Sequence, residues 1–422
     1  MTNERSAFVY VDLEGVVLLA GRLWSRVRNG RESATFEYAE EWRAFEGRFA
    51  LDPALSVGPG PHHTPAGKAL FSALGDSSPD RWGRTLVARR ERALARSESR
   101  PPRPLWEFDF LLGVSDFPRQ GALRFALEQG GPFLADESLG PVPPVVDLPR
   151  LLAASERVLE EEETTEDLRL LLAPGSSLGG ARPKASVRDE GGCLSIAKFP
   201  ARSDDYDVVR WEAVALTLAS QAGIEVPDFR LEMVTDKPVL LLRRFDREEG
   251  QRRPFLSAMS MLGAVDGDQR SYMEIADALR QNGVATEMDL HELWRRVVFN
   301  VLISNTDDHL RNHGFLYAGS AGWRLSPAYD MNPVPTDVKP RVLSTAIGYD
   351  DDASASLDRA MEVADYFALG PEAARDIACQ VGRAVLSWRE VAARWGIGSR
   401  GTERMASAFE HDDLRQAAGI PQ

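Results

Sequence analysis

The sequence predicts an α+β fold, β-rich toward the amino terminus and helical toward the carboxyl terminus. Two patterns predict it. Short apolar runs bounded by turn residues recur up to about residue 247: Phe8–Val11, Val16–Leu19, Thr35–Tyr38, Ala185–Val187, Leu194–Phe199, Arg230–Thr235 and Pro238–Phe245. Beyond that point the apolar residues take helical spacing, as in Leu290, Leu293, Val297, Val298, Val301 and Leu302. A third observation concerns function. The helix carrying those residues runs into nine residues, Asn305–His313, that hold two Asp, two Asn and two His, and Gly314–Tyr317 then reads as a strand. Buried polar groups need partners, and so much polarity beside a core points to a ligand.

Composition narrows the class. The 422 residues are enough for two or three domains with large cores, and 43% hydrophobic with 27% charged residues is ordinary for a globular protein. The net charge of −14 argues against direct, non-specific binding of nucleic acid. Cys193 and Cys379 form no Cys-x-x-Cys pair and suit a reducing compartment. Met1–Arg5 opens no apolar leader and no later run is long enough to span a membrane, so the expected location is the cytoplasm.

In chain order, a hairpin turning at Glu14-Gly15 and the strand Thr35–Tyr38 come first. The Pro/Gly-rich stretch Gly58–His63 reads as a loop, with His62 and His63 exposed and no metal site expected there. Helices follow near Pro65–Leu74 and from Pro79 to about Arg96. The proline-rich run Leu139–Val146 marks a boundary, giving a first segment 1–145. Asp147 is placed to cap a helix through Leu159 with Pro149 in its first turn, and Glu160–Glu163 reads as solvated surface. Gly175–Lys184 is a small-residue loop that either folds over phosphates through its N–H groups or simply opens the following hairpin. No Gly-Lys-Ser/Thr ends it, so it is not a Walker A loop. Two strands joined at Asp189–Gly192 come next, the second carrying Lys198. The helix from Arg210 to Gly223 holds Glu212, which either pairs with Lys198 or is solvated. A hairpin turning at Asp236-Lys237 ends in Arg243-Arg244-Phe245-Asp246-Arg247 and closes the second segment, 146–247. The third, 248–422, is helical. Ser271–Glu274 forms a capping box with Gly283 as its stop, Thr286 starts the helix that feeds the polar loop, and Ser356–Leu369 and Pro371–Trp395 form two more helices.

The spacing within the polar loop suggests its chemistry. Asp307 precedes Asn312 by five positions, the interval of the kinase catalytic loop, in which Asp orients the nucleophile and Asn binds Mg²⁺. Asp330 lies a short hairpin further on and supplies the second hard oxygen ligand that Mg²⁺ needs. Glycine loop, strand lysine, helix, hairpin, catalytic loop and metal acid is also the order kinases use.

On these motifs the chain resembles the HipA family, the serine/threonine kinase toxins of bacterial toxin–antitoxin operons. Ser177-Leu-Gly-Gly-Ala-Arg-Pro-Lys184 looks like the family's Ser-x-x-Gly-Ala-x-x-Lys loop. Asn305-x-Asp307-x-His309-x-Arg311-Asn312 looks like its catalytic loop, Tyr329-Asp330 like its metal-binding acid, and Arg243–Arg247 like its hinge. The first hairpin and Phe71–Arg84 are weakly similar to its N-terminal subdomain. Two departures stand out: Arg311 replaces a lysine, keeping the charge but changing its geometry, and Arg243 replaces a glutamate.

The resemblance implies a two-lobed, protein-kinase-like fold with an all-helical C-terminal lobe, and ATP with Mg²⁺ as cofactors. It implies Asp307 as the catalytic residue, Asn312 and Asp330 as metal ligands, and Lys198, Ser177, Gly179, Gly180, Lys184, Arg243, Phe245, His309 and Arg311 around ATP. Ser177 would be autophosphorylated. The implied substrate is a serine of a translation factor, typically an aminoacyl-tRNA synthetase. The implied partner is a HipB-like helix-turn-helix antitoxin, through which DNA is contacted only indirectly.

Two other readings compete. A metal-dependent hydrolase could use His309, His313 and Asp330, but imidazoles four apart converge only on a helix, and Asn305–Asp308 breaks the helix just before. In the kinase reading His309 braces the loop by hydrogen bonds and His313 is structural. The other reading is a catalytically silent co-repressor that binds an antitoxin, against which Lys198, Asp307, Asn312 and Asp330 all stand intact.

Overall fold

Alternation builds the first sheet. Ala7, Val9 and Val11 lie fully buried on one face of β1 (Asn3–Leu13), which pairs antiparallel with β2 (Val16–Arg28). The expected turn joins them, with Glu14 at φ 51° and Gly15 at φ 82°. β3 (Arg31–Tyr38), β4 (Pro61–His63) and β5 (Leu123–Ala126) complete the order β4-β3-β2-β1-β5. His62 and His63 therefore lie on an edge strand rather than in a loop, and the Thr35 hydroxyl sits 3.0 Å from His63 Nδ1. The face of the sheet is covered by Trp42, Phe71, Phe108 and Leu111.

The computed structural model describes residues 3–134, 140–173, 180–319, 322–350 and 352–419. It divides into two units, Met1–Arg202 with Met233–Leu256, and Ser203–Glu232 with Ser257–Gln422. The first unit holds the sheet above and a second one. There β6 (Lys184–Arg188) and β7 (Leu194–Lys198) form an antiparallel hairpin. β8 (Phe229–Val234), whose last two residues belong to this unit, precedes β9 (Lys237–Arg243), and β9 pairs with β7. Helices Arg81–Ser97, Leu148–Leu159 and Thr165–Leu172 bury Trp82, Leu86, Leu151, Leu168 and Leu171 against Val187, Ala197 and Leu241.

Two expectations change here. Asp147 makes no side-chain cap, because Val145–Asp147 already turns as a 3-10 helix. The acidic run is not uniformly solvated: Glu163 is 11% exposed, with its carboxylate 2.6 Å from Arg89.

The second unit is helical around one hairpin, Gly314–Tyr317 with Trp323–Leu325. Its central helix, Thr286–Leu302, buries Leu293, Trp294, Val297, Val298 and Val301 completely. The capping box at Ser271 and Glu274 starts Tyr272–Asn282 as expected. The last predicted helices are each divided. The first becomes Leu357–Glu362 and a 3-10 turn, Ala364–Phe367, that ends at left-handed Ala368. The second splits into Pro371–Leu386 and Trp388–Arg394 at Ser387, whose hydroxyl donates back to the Ala384 carbonyl at 2.8 Å. Ser399–Phe409 follows, and Phe409 stacks on Trp388 with centroids 4.6 Å apart. No helix among the described residues is long and apolar enough to cross a membrane.

Buried charge ties the residues after β9 to Arg119–Gly121 within the first unit. Asp246 accepts from Arg244 Nε at 2.7 Å, Arg247 Nη1 at 2.8 Å and the Gly121 N–H at 2.7 Å. Burial pushes its carboxyl up, but the charges of Arg244 and Arg247 outweigh that and hold it well below the usual carboxylate range. Asp246→Ala strands these buried cations, and a loss of about 3–5 kcal/mol in urea denaturation at neutral pH is expected. The folded-state value lies below the unfolded one of about 3.9, so this stabilisation is complete above that pH and declines as the pH falls through the folded value. Wild-type stability should therefore drop on acidification more steeply than that of the variant.

Candidate active site

The polar loop begins where the central helix ends. Ser304 takes a left-handed backbone (φ 51°), which turns the chain, and the Asn305 N–H returns to the Asn300 carbonyl at 2.9 Å. Side chains continue the chain of bonds: Asn305 Nδ2 donates to Asn300 Oδ1 at 3.0 Å, and Asn300 Nδ2 donates to the Tyr272 hydroxyl at 3.2 Å. The Tyr272 hydroxyl in turn donates to Asp308, whose Oδ2 also accepts from His313 Nε2 at 2.6 Å. Asp308 and His313 are both 2% exposed. Burial pushes the Asp308 carboxyl up, but the charge of His313 and the bonds from His313 and Tyr272 prevail and hold it below its ordinary value. Burial and the adjacent Asp308 push the Tyr272 phenol up, so it stays a donor.

This cluster turns Asp307 outward, with its side chain 73% exposed. Asn312, 7% exposed, donates its Nδ2 to the Asp307 carbonyl at 3.4 Å, and its N–H bonds the His309 carbonyl at 2.8 Å. Asp307 and Asn312 are thus brought together by the backbone between them. The bracing histidine is His313 rather than His309, whose Nδ1 is buried without a partner. Arg311 is exposed and pairs with Asp266 at 3.1 Å, while its carbonyl accepts from the Tyr329 hydroxyl at 2.7 Å.

A later segment straps the loop. Lys339 Nζ and the Ser344 hydroxyl donate to the Thr306 carbonyl at 3.0 and 2.9 Å, and the Thr345 hydroxyl donates to the Asp308 carbonyl at 2.8 Å. Arg341 donates to the Val301 carbonyl and the Ser304 hydroxyl at 3.0 and 3.2 Å, and pairs with Asp413 at 2.6 Å. Neither this strap nor Tyr272 stood out in the sequence. Both sit in ordinary contexts, and only the fold brings them to the loop.

Asp330 is half-buried with φ 59°, and Asn332 Nδ2 donates to its Oδ1 at 3.4 Å. These residues fit a Mg²⁺ ion. With the Asn312 amide nitrogen engaged by the loop, its oxygen is the atom left for a cation, and beside the Asp330 carboxylate the Asn332 Oδ1 is buried without a partner. All three are hard oxygen donors. His313 is committed to Asp308, which weakens the hydrolase reading.

The first unit carries the other candidates. Lys198 ends β7 opposite Leu240, half-buried and on the face away from core residue Ala197. Lys184 is buried instead of open to a ligand: its Nζ lies 3.0 Å from Asp80 Oδ2, and both side chains are 4% exposed. Asp80 also caps helix Arg81–Ser97 through the Gly83 N–H at 2.7 Å, and the Trp82 N–H donates to the Gly180 carbonyl at 3.4 Å. Gly180 is left-handed (φ 95°), and a Cβ there would come within 2.8 Å of Lys184 Nζ. Ser177 and Gly179 lie outside the described residues. Arg243 is exposed, and half-buried Phe245 has its ring 6.2 Å from that of Phe255. Glu212, in the second unit, is 3% exposed, which removes the solvated reading.

A family model described as the HipA-like C-terminal domain matches residues 176–389, slightly more than half of the chain. The chain belongs to this HipA-like family. A Haemophilus influenzae relative named "Putative kinase" is 24% identical over 214 residues, 43% of this chain and 61% of that protein. "Putative kinase Y4dM" of Sinorhizobium fredii is 32% identical over 153 residues, 32% of this chain and 36% of that protein. The HipA-like chain thus spans less than two thirds of the length of either relative. Among solved structures, the toxin–antitoxin complex of HipA, HipB and its operator DNA from Shewanella oneidensis MR-1 matches with a TM-score of 0.67 at 17% identity. The match covers 98% of this chain and 96% of that chain, and it establishes a shared fold.

The buried cluster gives a direct test. Tyr272→Phe removes one donor to Asp308 and the acceptor of Asn300. A loss of about 1–3 kcal/mol in chemical denaturation is expected.

Proposed function

We propose that this HipA-like chain is an ATP-dependent protein kinase that transfers the γ-phosphate to a serine hydroxyl. The observation that carries the reading is the loop itself: an outward carboxylate, Asp307, on a backbone immobilised by buried hydrogen bonds, with the amide of Asn312 five positions on. In this reading Asp307 orients the substrate hydroxyl and takes its proton. The hydroxyl oxygen forms a bond to the γ-phosphorus, the bond to the β–γ bridging oxygen breaks, and ADP leaves with that electron pair. Asn312 and Asp330 would hold Mg²⁺, which neutralises phosphate charge when bound. Lys198 would supply a cation to the phosphates, and the backbone beyond Arg243 and Phe245 would meet adenine. Lys184 is better suited to anchoring the glycine loop than to touching ATP, since its charge is spent on Asp80.

The finer reading extends the family resemblance. The kinase is a cytoplasmic toxin, its target is a translation factor such as an aminoacyl-tRNA synthetase, and Ser177 is its own phosphorylation site. Its three segments are 1–145, 146–247 and 248–422. A HipB-like helix-turn-helix antitoxin binds it and contacts operator DNA. The fold shared with a HipA solved together with HipB and DNA supports that partner, and the net charge of −14 suits a chain that leaves DNA to another protein.

Purified protein with γ-labelled ATP and a heat-treated bacterial extract should label one or few bands, to be identified by peptide mass. Asp307→Ala should lower the rate at least about 10²-fold with ATP binding retained, whereas Asp330→Ala should weaken Mg·ATP binding itself. Near-normal transfer by Asp307→Ala sinks the kinase reading, and a wild type that consumes no ATP leaves the silent co-repressor. Peptide mapping should place phosphate on Ser177 in the wild type but not in Asp307→Ala.

Overproduction in bacteria without the antitoxin should arrest growth, with Asp307→Ala relieving the arrest. An active kinase that leaves growth untouched would refute the toxin role alone.

A further inference from the structure

Lys339 belongs to no motif, yet its ammonium reaches the catalytic loop twice. Nζ donates to the Thr306 carbonyl at 3.0 Å and stands 3.3 Å from Asp307 Oδ1. It is the one side chain among the described residues seen to hold the Asp307 carboxylate. The bond to the Thr306 carbonyl belongs to the strap, but an exposed ion pair adds only about 0–1 kcal/mol to stability, so the contact with Asp307 calls for another role. The surroundings show how the lysine is placed. The N–H groups of Val338 and Lys339 both donate to the Pro335 carbonyl, at 2.9 and 3.2 Å, which closes a turn before the lysine. Pro340 follows with its fixed φ, and Arg341 then binds the end of the central helix and Asp413. The lysine is therefore fixed on both sides in sequence, and only its stem extends to the carboxylate.

We propose that Lys339 is a positioning residue for phosphoryl transfer. By holding Oδ1 it limits the rotation of an otherwise exposed carboxylate and leaves Oδ2 to meet the substrate hydroxyl. It acts through Asp307, and the proposal rests on the kinase reading above. Orientation of a reacting group is where small displacements weigh most, about 10²-fold in rate for 1 Å.

The test uses the full chain, γ-labelled ATP and heat-treated bacterial extract as acceptor, with initial rates of label incorporation measured against Mg·ATP. Lys339→Met keeps an unbranched apolar stem but removes the charge. It should lower the saturating rate about tenfold while leaving the KM for Mg·ATP unchanged, with only a small fall in the thermal midpoint from the lost bond to the Thr306 carbonyl. Lys339→Arg, which can still reach the carboxylate, should recover most of the rate. A wild-type rate for Lys339→Met overturns the proposal, as does a loss that Arg does not repair or that comes with a large fall in the thermal midpoint or a raised KM. A wild-type protein that incorporates no label overturns the kinase reading instead, so the two failures are distinct.

Discussion

The Asp308 carboxylate is the point on which the second unit's site depends. A carboxylate at 2% exposure is tolerable only with donors around it, and Tyr272 and His313 are those donors. They come from different places: Tyr272 from the first turn of helix Tyr272–Asn282, His313 from the far end of the loop. Satisfying one buried anion therefore pins both ends of the polar stretch to the helical core. Its neighbour Asp307 stays outside, with its side chain 73% exposed.

The loop has little regular structure of its own beyond the 3-10 turn Leu310–Asn312, so its shape is imposed by what surrounds it. The central helix supplies Asn300 and the carbonyls that end it, and the strap from Lys339 to Thr345 supplies donors to Thr306 and Asp308. Support of this kind fixes the backbone that carries the Asp307 carboxylate, and the orientation of a reacting group is where small displacements weigh heavily. The first unit uses the same device in another place. The buried pair of Lys184 and Asp80 joins the end of the glycine-rich stretch to a helix more than a hundred positions away in sequence.

Much of this was legible in the chain before any fold was known. The Asp307–Asn312 interval, Asp330 a hairpin later and the strand carrying Lys198 follow from local spacing, and local spacing survives folding. The capping box at Ser271 and the turn at Glu14-Gly15 came out for the same reason, while the second hairpin turns at Thr235-Asp236, one residue before the expected Asp236-Lys237. Less visible was which histidine braces the loop. By sequence the brace falls to His309, and only burial beside Asp308 gives it to His313. Lys184 looked like a phosphate contact because the motif presents a lysine, and its partner Asp80 could not be inferred from 104 residues away.

The sequence by itself determined the local elements, the order of the motifs and the residues able to do chemistry, because these depend on neighbours a few positions apart. Tertiary structure alone decided which of two adjacent aspartates is the buried brace and which the outward carboxylate. It also decided that Lys184 is spent on Asp80 and that Lys339 lies against Asp307. The physical reason is the same in each case. Burial and long-range pairing set the environment of a charged group, and both exist only after distant segments have packed together.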